Sequence, residues 1–179
     1  MNYEDRVTKE YVENALAAAG NTEVLLDVTI PSNTAEYALD VSGVDFTAYD
    51  EVHLYHSLTG TEYMVMHVNG VDTGGAYVRA ENHNQTMEVS SSPNRSELAY
   101  LYPGWYSRYR FVGTSPSARV TLRVDTFFTT SHSLRASREF NCAVSTTWPE
   151  FHTLNLTAKS NTTIAAGGHI VLVGVKKPV

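Results

Sequence analysis

The sequence predicts a mainly β protein: an antiparallel β-sandwich or jelly roll of roughly ten strands, preceded by a short N-terminal α-helix. Three observations carry this. Short runs of alternating apolar and polar residues recur down the chain, with turn residues between them. No helical pattern of useful length recurs after residue 20, which disfavours parallel α/β folds. Thr, Ser, Val and Tyr are plentiful, while charged residues make up only 18%, below the usual share for a globular chain. A length of 179 residues suits one domain with a small appendage. The chain accordingly divides into residues 1–20, a helix for assembly or attachment, and residues 21–179, the sandwich.

Taken in order, Thr8 is placed to cap a helix with the body Lys9–Ala19, and Gly20 ends it. Tyr11, Val12, Ala15, Leu16 and Ala19 give this helix an assembly face at helical spacing. A helix of about 12 residues is marginal alone and needs a partner, either its own sandwich or a neighbouring subunit. Glu23–Ile30 then alternates, with Val24, Leu26, Val28 and Ile30 expected inward. After the turn Pro31–Asn33, Tyr37, Leu39 and Val41 alternate again. Phe46–Asp50 makes a corner before a strand over Glu51–Leu58. Thr59–Thr61 turns the chain into Tyr63–Val68. Glycines at 70, 74 and 75 punctuate a loop before Ala76–Ala80 and Thr86–Val89, and Ser90–Asn94 is the most loop-like run.

Leu98–Tyr102 runs to the turn Pro103-Gly104. Tyr106–Val112, Arg119–Phe127, Phe140–Thr146, Thr153–Ala158 and His169–Val175 complete the strands. In the closing strand Ile170 and Leu172 point one way, and Val171, Val173 and Val175 the other. A strand that is apolar on both faces needs a cover on both. One cover is the chain's own core, and the other is open to a second subunit.

The net charge of −6 hides an asymmetry: residues 1–90 hold 15 acids against 3 Lys/Arg, a net of −12, and residues 91–179 hold 4 acids against 10 Lys/Arg, a net of +6. Either the halves neutralise each other inside one fold, or an acidic face of one copy meets a basic face of the next. Dispersed arginines on an acidic chain argue against nucleic acid as a partner. No apolar run approaches the roughly 20 residues that span a membrane. The polar, acidic start Met-Asn-Tyr-Glu-Asp is unlike a signal peptide, so synthesis in the cytoplasm is expected.

Candidate chemistry is sparse. Cys142 is the single cysteine, which excludes an internal disulfide framework and a cysteine-based zinc cluster; among apolar neighbours it reads as a buried small hydrophobe. His53 and His56 stand three apart on a strand, point to opposite faces and cannot chelate together. No metal site is expected. Asp45, Asp50 and Glu51 form the densest acidic group and suit a capped, solvated turn. No nucleophile–base set assembles, so neither an enzyme nor a cofactor is expected. In the aromatic run Tyr100–Phe111, most rings suit a core. Trp105 sits just past a turn, and Trp148 stands before Pro149. Trp105, Tyr106, Tyr102 and Trp148 are therefore the candidate binding residues, for a sugar ring or a subunit interface.

Three segments together carry a resemblance: Phe46–Leu54, the turn Asn69–Tyr77, and the ending Leu154–Lys159 with Ile164–Val175. They look like the β-sandwich modules of bacteriophage virion proteins, found in tail-tip, tail-fibre and head-decoration components. The opening Val7–Leu16 resembles the short helices that precede such modules. The resemblance implies a non-enzymatic structural subunit without cofactors, located on the virion after synthesis in the host cytoplasm. Its implied partners are copies of itself, as a homotrimer, and other virion proteins. The alternative is a carbohydrate- or host-receptor-binding module that meets a host surface glycan through exposed aromatics.

Overall fold

The computed structural model describes residues 21–83, 86–90, 95–103, 106–130, 133–159 and 161–177. The expected N-terminal helix and its face Tyr11, Val12, Ala15, Leu16 and Ala19 lie outside these residues, as does Trp105.

The protein is mainly β. Among the described residues, strands form at β1 (Thr22–Thr29), β2 (Glu36–Asp40), β3 (Tyr49–His56), β4 (Met64–Val68), β5 (Tyr77–His83), β6 (Thr86–Ser90), β7 (Ala99–Leu101), β8 (Tyr106–Val112), β9 (Arg119–Thr130), β10 (Ser133–Thr147), β11 (Thr153–Ala158) and β12 (His169–Lys176). They build two antiparallel sheets. The wide sheet has eight strands in the order β1-β12-β3-β8-β9-β10-β5-β6, and the narrow sheet has four in the order β2-β11-β4-β7. Strands distant in sequence are neighbours at β1–β12, β12–β3, β3–β8 and β10–β5 of the wide sheet, while β8–β9, β9–β10 and β5–β6 are sequential pairs. The last strand, β12, sits between β1 and β3.

One core joins the sheets. From the wide sheet come Val52, Leu54, Tyr109, Phe111, Val120, Leu122, Ile170 and Leu172; from the narrow sheet come Leu39, Met64, Met66, Leu101, Leu154 and Leu156. Alternation along each strand sends these side chains to one face and their neighbours to the other. An aromatic knot closes one region of this core. Phe46 stacks on Trp148 with ring centroids 5.3 Å apart, and Phe111 and Phe151 pack against both.

Three expectations from the sequence need correction. The pairing of β1 with β12 slips between Val24 and Leu26, so Leu25 is an extra residue. Such a bulge reverses which face the following residues take. Leu26 and Val28 pack on the main core, but Val24 turns to the opposite face and meets Val171 and Val173. Second, β10 begins at Ser133 and not at Phe140. Its first half, Ser-Leu-Arg-Ala-Ser-Arg-Glu, lacks apolar alternation. It is held as a strand by pairing with β9, joined from Ser137 by β5 on the other side. Third, Cys142 is not buried in the core. It shares the outward face of the wide sheet with Phe140 and Val144, and is only half-buried.

Ion pairs within the molecule link the two halves of the chain. Arg110 pairs with Glu51, Arg79 with Glu139, His169 with Asp27 and Lys176 with Glu23. Each pair joins residues 1–90 to residues 91–179, because the strands interleave; in three of them the acid comes from the first half, and in Arg79–Glu139 from the second. Glu51 is thereby drawn from the expected solvated turn into an ion-pair network, while Asp45 does cap the turn at Phe46–Ala48, accepting from the Thr47 amide at 3.0 Å.

Candidate functional site

The inward faces of β5 and β10 change character along their length. Tyr77 and Ala143 belong to the core. Beyond them, alternation brings Arg79, Asn141 and Glu139 to the same face. The narrow sheet ends at its edge strand β7, and the residues flanking that edge meet this polar stretch. Arg79 pairs with Glu139 at 3.6 Å, and the Asn141 side-chain amide donates to Glu139 at 3.3 Å. Asn141 is fully buried, and its Oδ1 has no hydrogen-bond partner among the described residues.

On the β7 side stand three tyrosines and an arginine. The Tyr63 ring lies 5.7 Å from Tyr100 and 5.9 Å from Tyr102, and Tyr100 and Tyr102 are 6.1 Å apart. All three rings are half-buried. The Arg95 guanidinium lies 5.9 Å from the centre of the Tyr100 ring, a cation–π arrangement. Arg95 Nε donates to the Glu97 carbonyl at 3.0 Å, which fixes the side chain against its own loop. Arg95 is 8% exposed.

The backbone around this cluster is held from beneath. Tyr109, deep in the core, donates its hydroxyl to the Tyr100 carbonyl at 3.2 Å and accepts from the Tyr102 amide at 3.4 Å. One buried phenol thus sets the path of the segment that carries two of the three half-buried rings. Burial, with the nearby Glu97, raises the Tyr100 phenol, and burial, with the nearby Glu139, raises that of Tyr102. Both remain protonated at neutral pH and so present hydroxyl donors beside flat apolar faces. Two arginines and two glutamates balance, so the cluster as a whole carries no net charge.

The expected binding residues fare differently. Tyr102 belongs to this cluster. Tyr106 lies in β8, and Trp105 is outside the described residues. Trp148 is 3% exposed, stacked on Phe46, and its indole N–H donates to the Gly113 carbonyl at 3.0 Å. The proline that follows it sets a single 3-10 turn, Trp148–Glu150, and this turn directs the ring inward. Trp148 therefore has no free face for a ligand. Tyr63, Arg95, Arg79 and Glu139 were not readable as partners: they come from four separate segments, and only the crossing of strands brings them together.

Elsewhere the histidines divide as their spacing requires. His53 faces outward, 2.9 Å from Glu51, and His56 lies on the inward side with its ring 5.9 Å from Tyr109. Among the described residues, no group of three or more His, Cys, Asp or Glu gathers to hold a metal ion. Among them, too, no helix is long and apolar enough to cross a membrane.

No family model, curated protein or solved structure matches the chain.

Proposed function

We propose that this chain is a non-enzymatic structural subunit of a bacteriophage particle, a β-sandwich with an N-terminal assembly or attachment element, that forms a homotrimer on the tail, fibre or capsid surface. The observation that carries the self-association is the outward face of the wide sheet. Val78, Phe140 and Val144 are 40%, 41% and 45% exposed there. Val78 pairs directly with Cys142, and Phe140 and Val144 flank Cys142 on the same face, so the four form one patch. Single exposed apolar residues are ordinary, but a contiguous patch on a sheet face marks a contact surface. The resemblance of Phe46–Leu54, Asn69–Tyr77 and Ile164–Val175 to virion sandwich modules supplies the setting. Light scattering over a range of concentrations tests it. An oligomer is expected, and the double variant Phe140→Glu, Val144→Glu is expected to run as a folded monomer. A wild-type protein that stays monomeric at high concentration, and is missing from purified particles, overturns the reading.

A second reading, binding of a carbohydrate on the host surface, is favoured by the tyrosine cluster. Tyr63, Tyr100 and Tyr102 offer rings for stacking on a sugar, with polar groups beside them for its hydroxyls. A glycan array tests this. Binding that falls at least about tenfold in Tyr102→Ala, the loss of one stacking contact, supports it. No binding, or binding unaffected by that variant, counts against it.

A further inference from the structure

The exposed patch of Val78, Phe140 and Val144 has a basic surround. On the outward face of β8 and β9, register and alternation set Arg108, Arg110, Arg119 and Arg123 against one carboxylate, Asp125. Asp125 is engaged by Arg110 and Arg123, and Glu51 of the neighbouring β3 is engaged by Arg110, so the acids beside these arginines are matched within the chain. The Arg123 guanidinium also lies 5.6 Å from the centre of the Phe140 ring, which joins the basic row to the patch. Arg119, farther along the same row, is exposed. Two such faces packed on one another about a two-fold axis would set net positive charge against net positive charge, an unfavourable pairing. Three-fold assembly asks for something else. Its contacts are heterologous, so each patch meets a different surface of the next copy. The matching surface is acidic at its ends and small and apolar between them.

Strand β2 has this composition. Glu36, Ala38 and Asp40 alternate on its exposed side, while Leu39 enters the core. The strand carries no lysine or arginine, and it forms one edge of the narrow sheet, beside β11. The Ala158 amide donates to the Ala35 carbonyl and the Val41 amide to the His152 carbonyl, which fixes the phase of that pairing. The backbone groups of Ala38 therefore point away from β11. Spacing matches as well. Glu36 to Asp40 and Arg119 to Arg123 each span four steps of a strand, about 13 Å. We propose that the arginine-rimmed patch of one copy seats on the β2 edge of the next, with Arg119 and Arg123 opposite Glu36 and Asp40, and Phe140 and Val144 against Ala38. A sheet face set against a sheet edge turns each copy relative to the last, as a closed ring requires. The two carboxylates also keep β2 from pairing with the β2 of another copy. This rests on the self-association reading and names the surface that the patch meets.

Sedimentation velocity on charge-reversed variants tests the proposal. The full-length wild-type chain is expected to associate. Arg119→Glu on the patch side, and the double variant Glu36→Lys, Asp40→Lys on the edge side, are each expected to weaken association at least about tenfold. Mixed in equal amounts, the two variants are expected to associate again, because each retains the surface that the other has lost. A wild-type chain that stays monomeric overturns the self-association reading and this inference with it. A wild-type oligomer whose edge variant associates as tightly as wild type overturns this inference alone. Two weakened variants that stay monomeric when mixed also overturn it, since they would not then have lost opposite halves of one contact. Far-UV circular dichroism checks the fold of each variant. Glu36→Lys alone, which leaves the Asp40–Ser42 hydrogen bond in place, is the second edge variant should the double one fail to fold.

Discussion

At the scale of single residues, His56 shows how burial sets a charge state. Its Nδ1 has no hydrogen-bond partner among the described residues, and burial lowers its pKa from 6.5 to about 4. The ring is therefore neutral in the folded protein at pH 7. Below pH 6.5 the unfolded chain takes up a proton that the folded chain refuses, so stability falls as pH drops from 6.5 to about 4 and this group contributes no further loss below that. The full loss from a shift of this size is about 3 kcal/mol. Urea midpoints measured across this range should fall with pH, and His56→Leu should flatten the slope. Glu51 acts lower on the scale. Burial alone would raise its carboxyl, but the His53 hydrogen bond and the Arg110 charge together hold it below the usual value, so its contribution is lost only as pH falls through the carboxylate range. Gly174 shows a steric requirement of the same local kind. A Cβ at this position would run into the ring carbons of Tyr49.

At the scale of elements, Asn69 ties two loops together. It adopts a left-handed backbone with φ of 53° at the end of β4. Its side-chain amide donates to the Glu150 carbonyl at 2.6 Å, and its Oδ1 accepts from the amides of His152 and Thr153 at 2.9 and 3.0 Å. Asn69→Ala removes all three bonds and leaves a residue ill suited to positive φ, which should cost about 2–4 kcal/mol. Chemical denaturation measures this. Asn69→Gly, which tolerates the backbone, should recover part of the loss. The Asn-Gly pair at 69 and 70 announces a turn in the sequence, but the three bonds across more than eighty positions do not show there. The same division runs through the chain. Strands with clean alternation, such as Val120, Leu122 and Val124 in β9, were legible because each apolar position needs one buried face. The bulge at Leu25 was not, since Val24 and Leu26 keep the spacing of a regular strand and only pairing with β12 forces the slip. The first half of β10 was hidden for the converse reason: its pairing partners, and not its own pattern, make it a strand. The tyrosine and arginine cluster was half visible. The Tyr100 and Tyr102 pair stands out locally, but its charged partners arrive from elsewhere.

At the scale of the whole molecule, the interleaving of strands decides how the protein unfolds. Residues 1–90 and 91–179 look like different materials by charge, yet neither can stand as a unit. The wide sheet alternates between them, with β12 between β1 and β3, β3 against β8, and β10 against β5. The narrow sheet does the same, with β11 between β2 and β4. One core receives side chains from both sheets and from both halves of the chain. Removing either half would therefore strip neighbours from most strands of the other, so the described fold should lose its structure in one step. Far-UV circular dichroism reports both sheets, while the near-ultraviolet signal of the aromatic knot of Phe46, Phe111, Trp148 and Phe151 reports the packing between them. The two should give superimposable urea transitions. Arg110 is the residue on which to test the charge coupling. It contacts Glu51 and Asp125 together, and Asp125 is 7% exposed on the outward face. Arg110→Ala leaves Arg123, at 3.0 Å, as a remaining partner of Asp125, so the loss should be about 1–3 kcal/mol, less than for a buried charge left wholly unpaired. That loss should shift both transitions together. Transitions that separate would show that the two charge classes of the chain mark two independently folding units.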